Sequence, residues 1–246
     1  MNILLRKADW NRWCFVVLYA VAMAWVESAV VFYLRTMIDR IEPYQPNPLP
    51  VIGGFASVEL PRELATLVML FAVGFLAGRN WRARFGYFAV AFGVSDIFYY
   101  AFLKIICGWP HSLFDWDVLF LLPMPWWGPV LAPVLISLLL IFWGTVASQV
   151  ELKQPPVASN WCAWALNLAG VLLALYIFMA DSITAAQYGL DAIRTVLPKK
   201  FDWMLFGIAL TMMSAPLFKA CLQLMKHKTV KPGSGGANQN LNVRTT

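Results

Sequence analysis

Charge is scarce in this chain. Of its 246 residues only 13% are Asp, Glu, Lys or Arg and 60% are hydrophobic, whereas soluble domains run at about 25% charged and about 45–50% apolar. The shortage leaves no room for a large soluble domain and points to a polytopic membrane protein, as does a mean hydropathy of +0.64. Histidine is nearly absent as well. The two histidines, His111 and His227, fall on opposite sides of the membrane in the topology below, and no CxxCH run exists, which disfavours haem. There is no GxSxG elbow, no Walker loop and no GxGxxG, so neither Ser-His-Asp hydrolysis nor nucleotide use has a supporting motif. The four cysteines, Cys14, Cys107, Cys162 and Cys221, form no close-spaced metal pair, and Cys107 stands alone on its side, which argues against a disulfide framework. No cofactor is expected. The formal net charge is +6, but the basic residues cluster at helix ends, as membrane topology requires, so nucleic acid is not an expected partner.

What the chain has in abundance is apolar runs of membrane-spanning length, about 20 residues. They predict an all-α polytopic membrane protein of six transmembrane helices, near Trp13 to Leu34, Leu60 to Ala77, Phe85 to Ile106, Val130 to Ala147, Trp161 to Ala180 and Trp203 to Met225. Residues 1–228 make one domain and 229–246 a disordered cytoplasmic tail, rich in Gly, Ser and Asn. The first run resembles a signal peptide, but it continues to Phe32, past the usual apolar region of about 7–15 residues, and reads as a retained helix. PYQPNPLP at 43–50 favours an extended backbone, and Gly53-Gly54 a turn. Pro61 suits the first turn of the second helix. A polar loop with Pro155-Pro156 joins helices four and five, and a short amphipathic helix is expected around 185–196. The sixth helix contains Pro216 and Lys219. The most irregular stretch, from Cys107 to Pro129, reads as an aromatic- and proline-rich interfacial loop between helices three and four. No repeat relates helices one to three to helices four to six, which weakens an inverted-repeat transporter.

Orientation follows from lysine and arginine. One side carries Arg6, Lys7, Arg12, Arg79, Arg82, Arg84, Lys153 and the basic tail; the poorer side carries Arg35, Arg40, Arg62, Lys104, Arg194, Lys199 and Lys200. The richer side is cytoplasmic, which puts both termini inside.

The costliest residue is Asp96, in the run SDIFYYAFLK at 95–104. An Asp at the centre of a spanning helix costs roughly 2.5–3.5 kcal/mol. Residues four apart share a helix face, so Asp96, Tyr100 and Lys104 line one stripe with Tyr99 beside it, and such a stripe faces protein or a wet cavity rather than lipid. Glu27 lies towards the outer end of helix one. Glu59, Arg62 and Glu63 open helix two, with Thr66 on the same face and Arg62 three residues from Glu59. Trp109, Asp115, Trp116 and Asp117 lie in the loop after helix three. Together these residues outline an outward-facing acidic and aromatic pocket, with Lys104 as the counter-charge of Asp96. The competing reading is a set of structural ion pairs, such as Glu63 with Lys104 or Glu27 with Arg62, that only fix helix packing. His111, Asp115 and Asp117 offer metal-ligand chemistry at an unspecific spacing and are weak metal candidates; interfacial anchoring is the stronger reading of that loop. Trp109, Trp116, Trp126 and Trp127 read first as an aromatic belt, and second as a platform for a quinone or an isoprenoid lipid.

The segments RELATLVMLFAVGFLAGR, FGVSDIFYYAFLK and GWPHSLFDWDVLFLLPMPWWGPVLAPV resemble a group of small bacterial polytopic inner-membrane proteins with no assigned activity. The resemblance spans roughly residues 59–135 and implies a bacterial inner-membrane location; it carries over no site residue. Three functions are therefore expected in competition. One is binding or transport of a small or lipid-like molecule, with Asp96 as the protonatable group. Another is a membrane-embedded enzyme acting on a lipid or isoprenoid, with Asp96 or Glu63 as general acid-base and Tyr99 or Tyr100 assisting. The third is an accessory subunit held by a membrane protein partner. The lipid bilayer is a partner in all three.

Overall fold

The computed structural model describes residues 9–46, 55–120, 124–149 and 161–218, together with residue 222. The side chains of residues 55–57, 60, 120, 190 and 194 are outside that description. The expected turn at Gly53-Gly54, the Pro155-Pro156 loop, Lys219 and the disordered tail at 229–246 also lie outside the described residues.

The chain is helical, with one small hairpin. α1 runs Trp10–Met37, α2 Phe55–Ala77, α3 Trp81–Cys107, α4 Leu131–Gln149, α5 Trp161–Ala186, α6 Leu190–Thr195 and α7 Trp203–Met213; strands β1 (Trp116–Phe120) and β2 (Trp126–Pro129) fall between α3 and α4. Four of the helices, α1, α3, α4 and α5, are long and apolar enough to cross a membrane by length and composition. At 28 residues, α1 is about 42 Å long from a rise of 1.5 Å per residue, so its ends reach beyond a hydrocarbon core of about 30 Å.

α3 is the central helix. Asn80 begins it, its side chain accepting a hydrogen bond from the Ala83 N–H at 2.9 Å, which satisfies one of the free donors of the first turn. Gly108 ends it in the left-handed region at φ 78°, its N–H donating to Lys104 O; only glycine enters that region without strain. Val16, Ala20 and Met23 of α1 and Leu70 of α2 pack with Tyr87, Val90, Ala91 and Val94 of α3. Between α3 and α4 the approach is close enough to require glycine. A Cβ at Gly86 would meet Gly144 O at 2.8 Å, and one at Gly93 would meet Ser137 O at 2.6 Å. Small residues at such crossings let backbones approach where lipid supplies no hydrophobic drive. A second cluster joins Ala132 of α4, Ala174, Ile177 and Phe178 of α5, and Phe201, Phe206 and Ala209 in and before α7. Phe15, Leu76 and Met204, at 71%, 82% and 81% exposed, face outward as lipid-contacting side chains do.

Three expectations need correcting. α2 begins at Phe55 rather than near Leu60, so Pro61 lies inside the helix and not in its first turn. The described part of the sixth helix stops at Met213 after 11 residues, about 16 Å at the helical rise and too short to span by itself. Residue 214 is a turn and helix resumes at 215–218, because Pro216 has no N–H and its ring collides with the carbonyl four residues back. The Cys107 to Pro129 loop contains an antiparallel hairpin, with Trp116 opposite Pro129, Asp117 opposite Gly128 and Val118 opposite Trp127; the register shifts between Val118 and Phe120. The expected short helix around 185–196 is present as α6.

Candidate functional site

The hydrogen bonds fix the ends of the bundle. Arg12 Nη1 donates to Ala77 O at 3.1 Å and Trp13 Nε1 to Thr145 Oγ1 at 3.1 Å, so the start of α1 sits with the ends of α2 and α4. The end of α1, the start of α2, the end of α3 and the hairpin therefore share the opposite end. The sequence-predicted residues gather there in separate groups.

The first group lies under the hairpin. Asp117, 2% exposed, pairs with Arg35 Nη2 at 2.9 Å. It also accepts a hydrogen bond from the Tyr100 hydroxyl at 3.2 Å and one from the Val118 N–H at 2.9 Å. The Arg35 guanidinium lies 4.4 Å from the centre of the buried Trp109 ring, and Tyr99 and Tyr100 meet edge to face at 5.0 Å. Burial pushes the Asp117 carboxyl up, and the Arg35 charge, the Tyr100 hydroxyl and the Val118 N–H oppose that push. Asp117, Tyr100 and Trp109 were legible as candidates. Arg35 was not, because it reads as a loop charge until α1 is seen to continue to Met37 and place it in the last turn.

The second group joins α1 to α2. Arg62 forms ion pairs with Glu27 and, at its own end of α2, with Glu59, to which its Nε donates at 2.9 Å. The Thr66 hydroxyl donates to the other oxygen of Glu27 and to the Arg62 carbonyl of its own helix. This is the structural pairing weighed from the sequence. Glu63 forms no ion pair among the described residues.

The third group is Asp96, just past the middle of α3. Its Oδ2 accepts a hydrogen bond from Ser137 of α4 at 2.8 Å, and no cation pairs with it among the described residues. Lys104 is not its counter-charge, nor the partner of Glu63. Its side chain is exposed, and Nζ donates to Gly108 O at 2.9 Å. Lying in the last turn, it reaches the helix's own free carbonyl more readily than a carboxylate two turns back. Ser137 was missed, since a serine in an apolar run carries no signal of what it bonds. Beside this group the Ser28 hydroxyl donates to Tyr99 O at 3.0 Å and holds α1 against α3.

The weak metal candidates are not brought together. Asp115 accepts from the N–H groups of His111 and Ser112 at 2.7 and 3.2 Å, the His111 ring lies 3.2 Å from Glu42, and Asp117 is held by Arg35. Among the described residues no group of three or more His, Cys, Asp and Glu side chains could hold a metal. Trp116 stacks on Tyr44 at 6.3 Å and meets Phe201 edge-on at 6.1 Å. Trp127 is 2% exposed, and its indole N–H has no acceptor among the described residues. Cys14, Cys107 and Cys162 are free thiols; Cys221 lies outside the described residues. No protein-family model, no curated protein and no solved structure matches the chain.

Proposed function

We propose that this chain is a six-span protein of a bacterial inner membrane, both termini cytoplasmic, that binds or transports a small or lipid-like molecule through an outward-facing acidic and aromatic site. The observation that carries this reading is Asp96. It stands in a membrane-length helix with one neutral hydrogen-bond partner, Ser137, and no cation among the described residues. A carboxylate in that position is costly unless a proton or a bound group meets it. Nearer the hairpin end, Asp117 has Arg35, and Glu27 and Glu59 have Arg62, while Glu63 forms no ion pair among the described residues. These pairs hold the frame, and of the acids left without a cation Asp96 is the one in the interior of a membrane-length helix, where a ligand or a proton would meet it. The Trp127 N–H, without an acceptor among the described residues, adds a donor near the hairpin that a ligand oxygen would satisfy.

The test compares wild type with Asp96→Asn, which is isosteric and keeps an acceptor for Ser137. Both are purified in mild detergent and their extracts are analysed by mass spectrometry for retained small molecules and lipids. The reading expects a species retained by wild type and depleted at least about tenfold in Asp96→Asn, with thermal stability little changed; tenfold corresponds to about 1.4 kcal/mol. Identical extracts, with only stability altered, would assign Asp96 to packing.

A further inference from the structure

At the other end of the bundle, the turn from α2 to α3 brings Arg79, Arg82 and Arg84 within six residues of one another, and Arg12 of α1 joins them through its bond to Ala77 O at 3.1 Å. We propose that this corner binds the phosphate headgroup of an anionic membrane lipid.

Arg84 is positioned for that task. Its Nε donates to Gly78 O at 3.2 Å. Its guanidinium lies 3.7 Å from the Phe75 ring centre and 5.2 Å from that of Trp81. The rings fix the plane of the fork while the terminal amines make no hydrogen bond among the described residues. A planar guanidinium held in this way matches phosphate oxygens in a bidentate geometry that a lysine cannot copy. Arg79, with its side chain 54% exposed, reaches the carboxylate of Asp9 only at 4.0 Å. Asp9 also pairs with Arg12 at 2.9 Å, so among the described residues one acid is set against several cations.

The surface next to the cations selects a lipid over a soluble anion. Leu76 and Trp81 are 82% and 60% exposed, and Phe75 and Phe85 38% and 45%. Apolar and aromatic side chains directly beside the guanidiniums offer a bed for acyl chains, with Trp81 at the headgroup level that tryptophan favours. The proposal requires the bundle to cross a bilayer. It does not depend on any ligand at Asp96 and would survive the failure of that reading.

The experiment uses the purified full chain in phosphatidylcholine-containing micelles, titrated with phosphatidylglycerol and read by native mass spectrometry and thermal unfolding. Phosphatidylglycerol is expected to be retained and to raise the melting temperature; added phosphatidylcholine is not. Inorganic phosphate at matched concentration is expected to compete poorly. Arg79 holds no backbone carbonyl among the described residues, and Arg79→Gln is expected to weaken phosphatidylglycerol retention about fivefold, the scale of one basic residue at an anionic surface, with melting in phosphatidylcholine unchanged. Arg84→Lys keeps the charge and loses the fork, and is expected to weaken retention further. Equal retention of the two lipids, or Arg79→Gln and Arg84→Lys both matching wild type, would overturn the site. Efficient displacement by inorganic phosphate would overturn the lipid as its occupant.

Discussion

Asp117 of the hairpin and Arg35 of α1, 82 positions apart in sequence, are joined at 2.9 Å with side chains only 2% and 12% exposed. The pair ties β1 to the end of α1, and Tyr100 adds α3 to the same knot through its bond to Asp117. The hairpin is thereby fastened over the end of the bundle by charge, and Ser182 of α5 donates at 2.6 Å to the carbonyl of Pro125, the residue just before β2.

Arg35→Met should cost about 3–5 kcal/mol of stability, because it leaves a buried carboxylate without its counter-charge. The double substitution Arg35→Met with Asp117→Leu should recover most of that loss, since apolar replacement of both members of a buried pair is often neutral. Denaturant unfolding of the singles and the double, read as a double-mutant cycle, checks this. A double substitution as damaging as the sum of the two singles would show that the pair contributes through other neighbours.

Ser137→Ala removes the only hydrogen bond to Asp96 among the described residues. An acceptor deprived of its partner costs about 1–3 kcal/mol when buried. Asp96→Leu combined with Ser137→Ala should be milder than Ser137→Ala alone, because no unmet polar group remains. Thermal melting of the three variants in one detergent separates the outcomes.

Much of this frame was legible in the sequence, for a simple reason: an apolar run of sufficient length has few alternatives to a helix. The i, i+3 pairing of Glu59 with Arg62 was legible on the same local geometry. What stayed hidden depended on where one element ends against another. Helical spacing put Lys104 on the face of Asp96, but spacing fixes a face and not the reach of a flexible side chain, and Gly108 O lay closer. The hairpin was hidden because WDVLF and WWGP are only five and four residues long, with prolines at 123 and 125 between them, so neither shows a full alternating pattern. Arg35 needed the observed end of α1, and Ser137 needed the crossing of α3 over α4.

That crossing yields its own prediction. A Cβ at Gly93 would lie 2.6 Å from Ser137 O, so Gly93→Ala must force α4 away from α3 and strain the Ser137 bond to Asp96. Overpacking of this kind costs about 1–3 kcal/mol. Gly207→Ala has nothing within 4 Å of the added methyl among the described residues and should be neutral or slightly stabilising, because alanine is the better helix former. A matched pair of melting curves checks the contrast; equal shifts would mean that the α3–α4 contact is looser than its geometry indicates.

The proposed orientation can be read directly from two exposed positions at opposite ends of the bundle. His111, in the turn before the hairpin, has a side chain 64% exposed, and Arg79, between α2 and α3, one 54% exposed. In a background with the native cysteines replaced, His111→Cys and Arg79→Cys each present one thiol. Both termini on the cytoplasmic side require the hairpin end to face outward, because α1 carries the chain from the first end to the second. A membrane-impermeant maleimide applied to intact cells should then label His111→Cys and spare Arg79→Cys until the membrane is permeabilised. The reverse pattern would invert the molecule and place Asp96 on a route from the cytoplasm. Labelling of both in intact cells would mean that α1 and α3 do not cross the membrane at all, and would remove the hydrocarbon cost on which the role of Asp96 is argued.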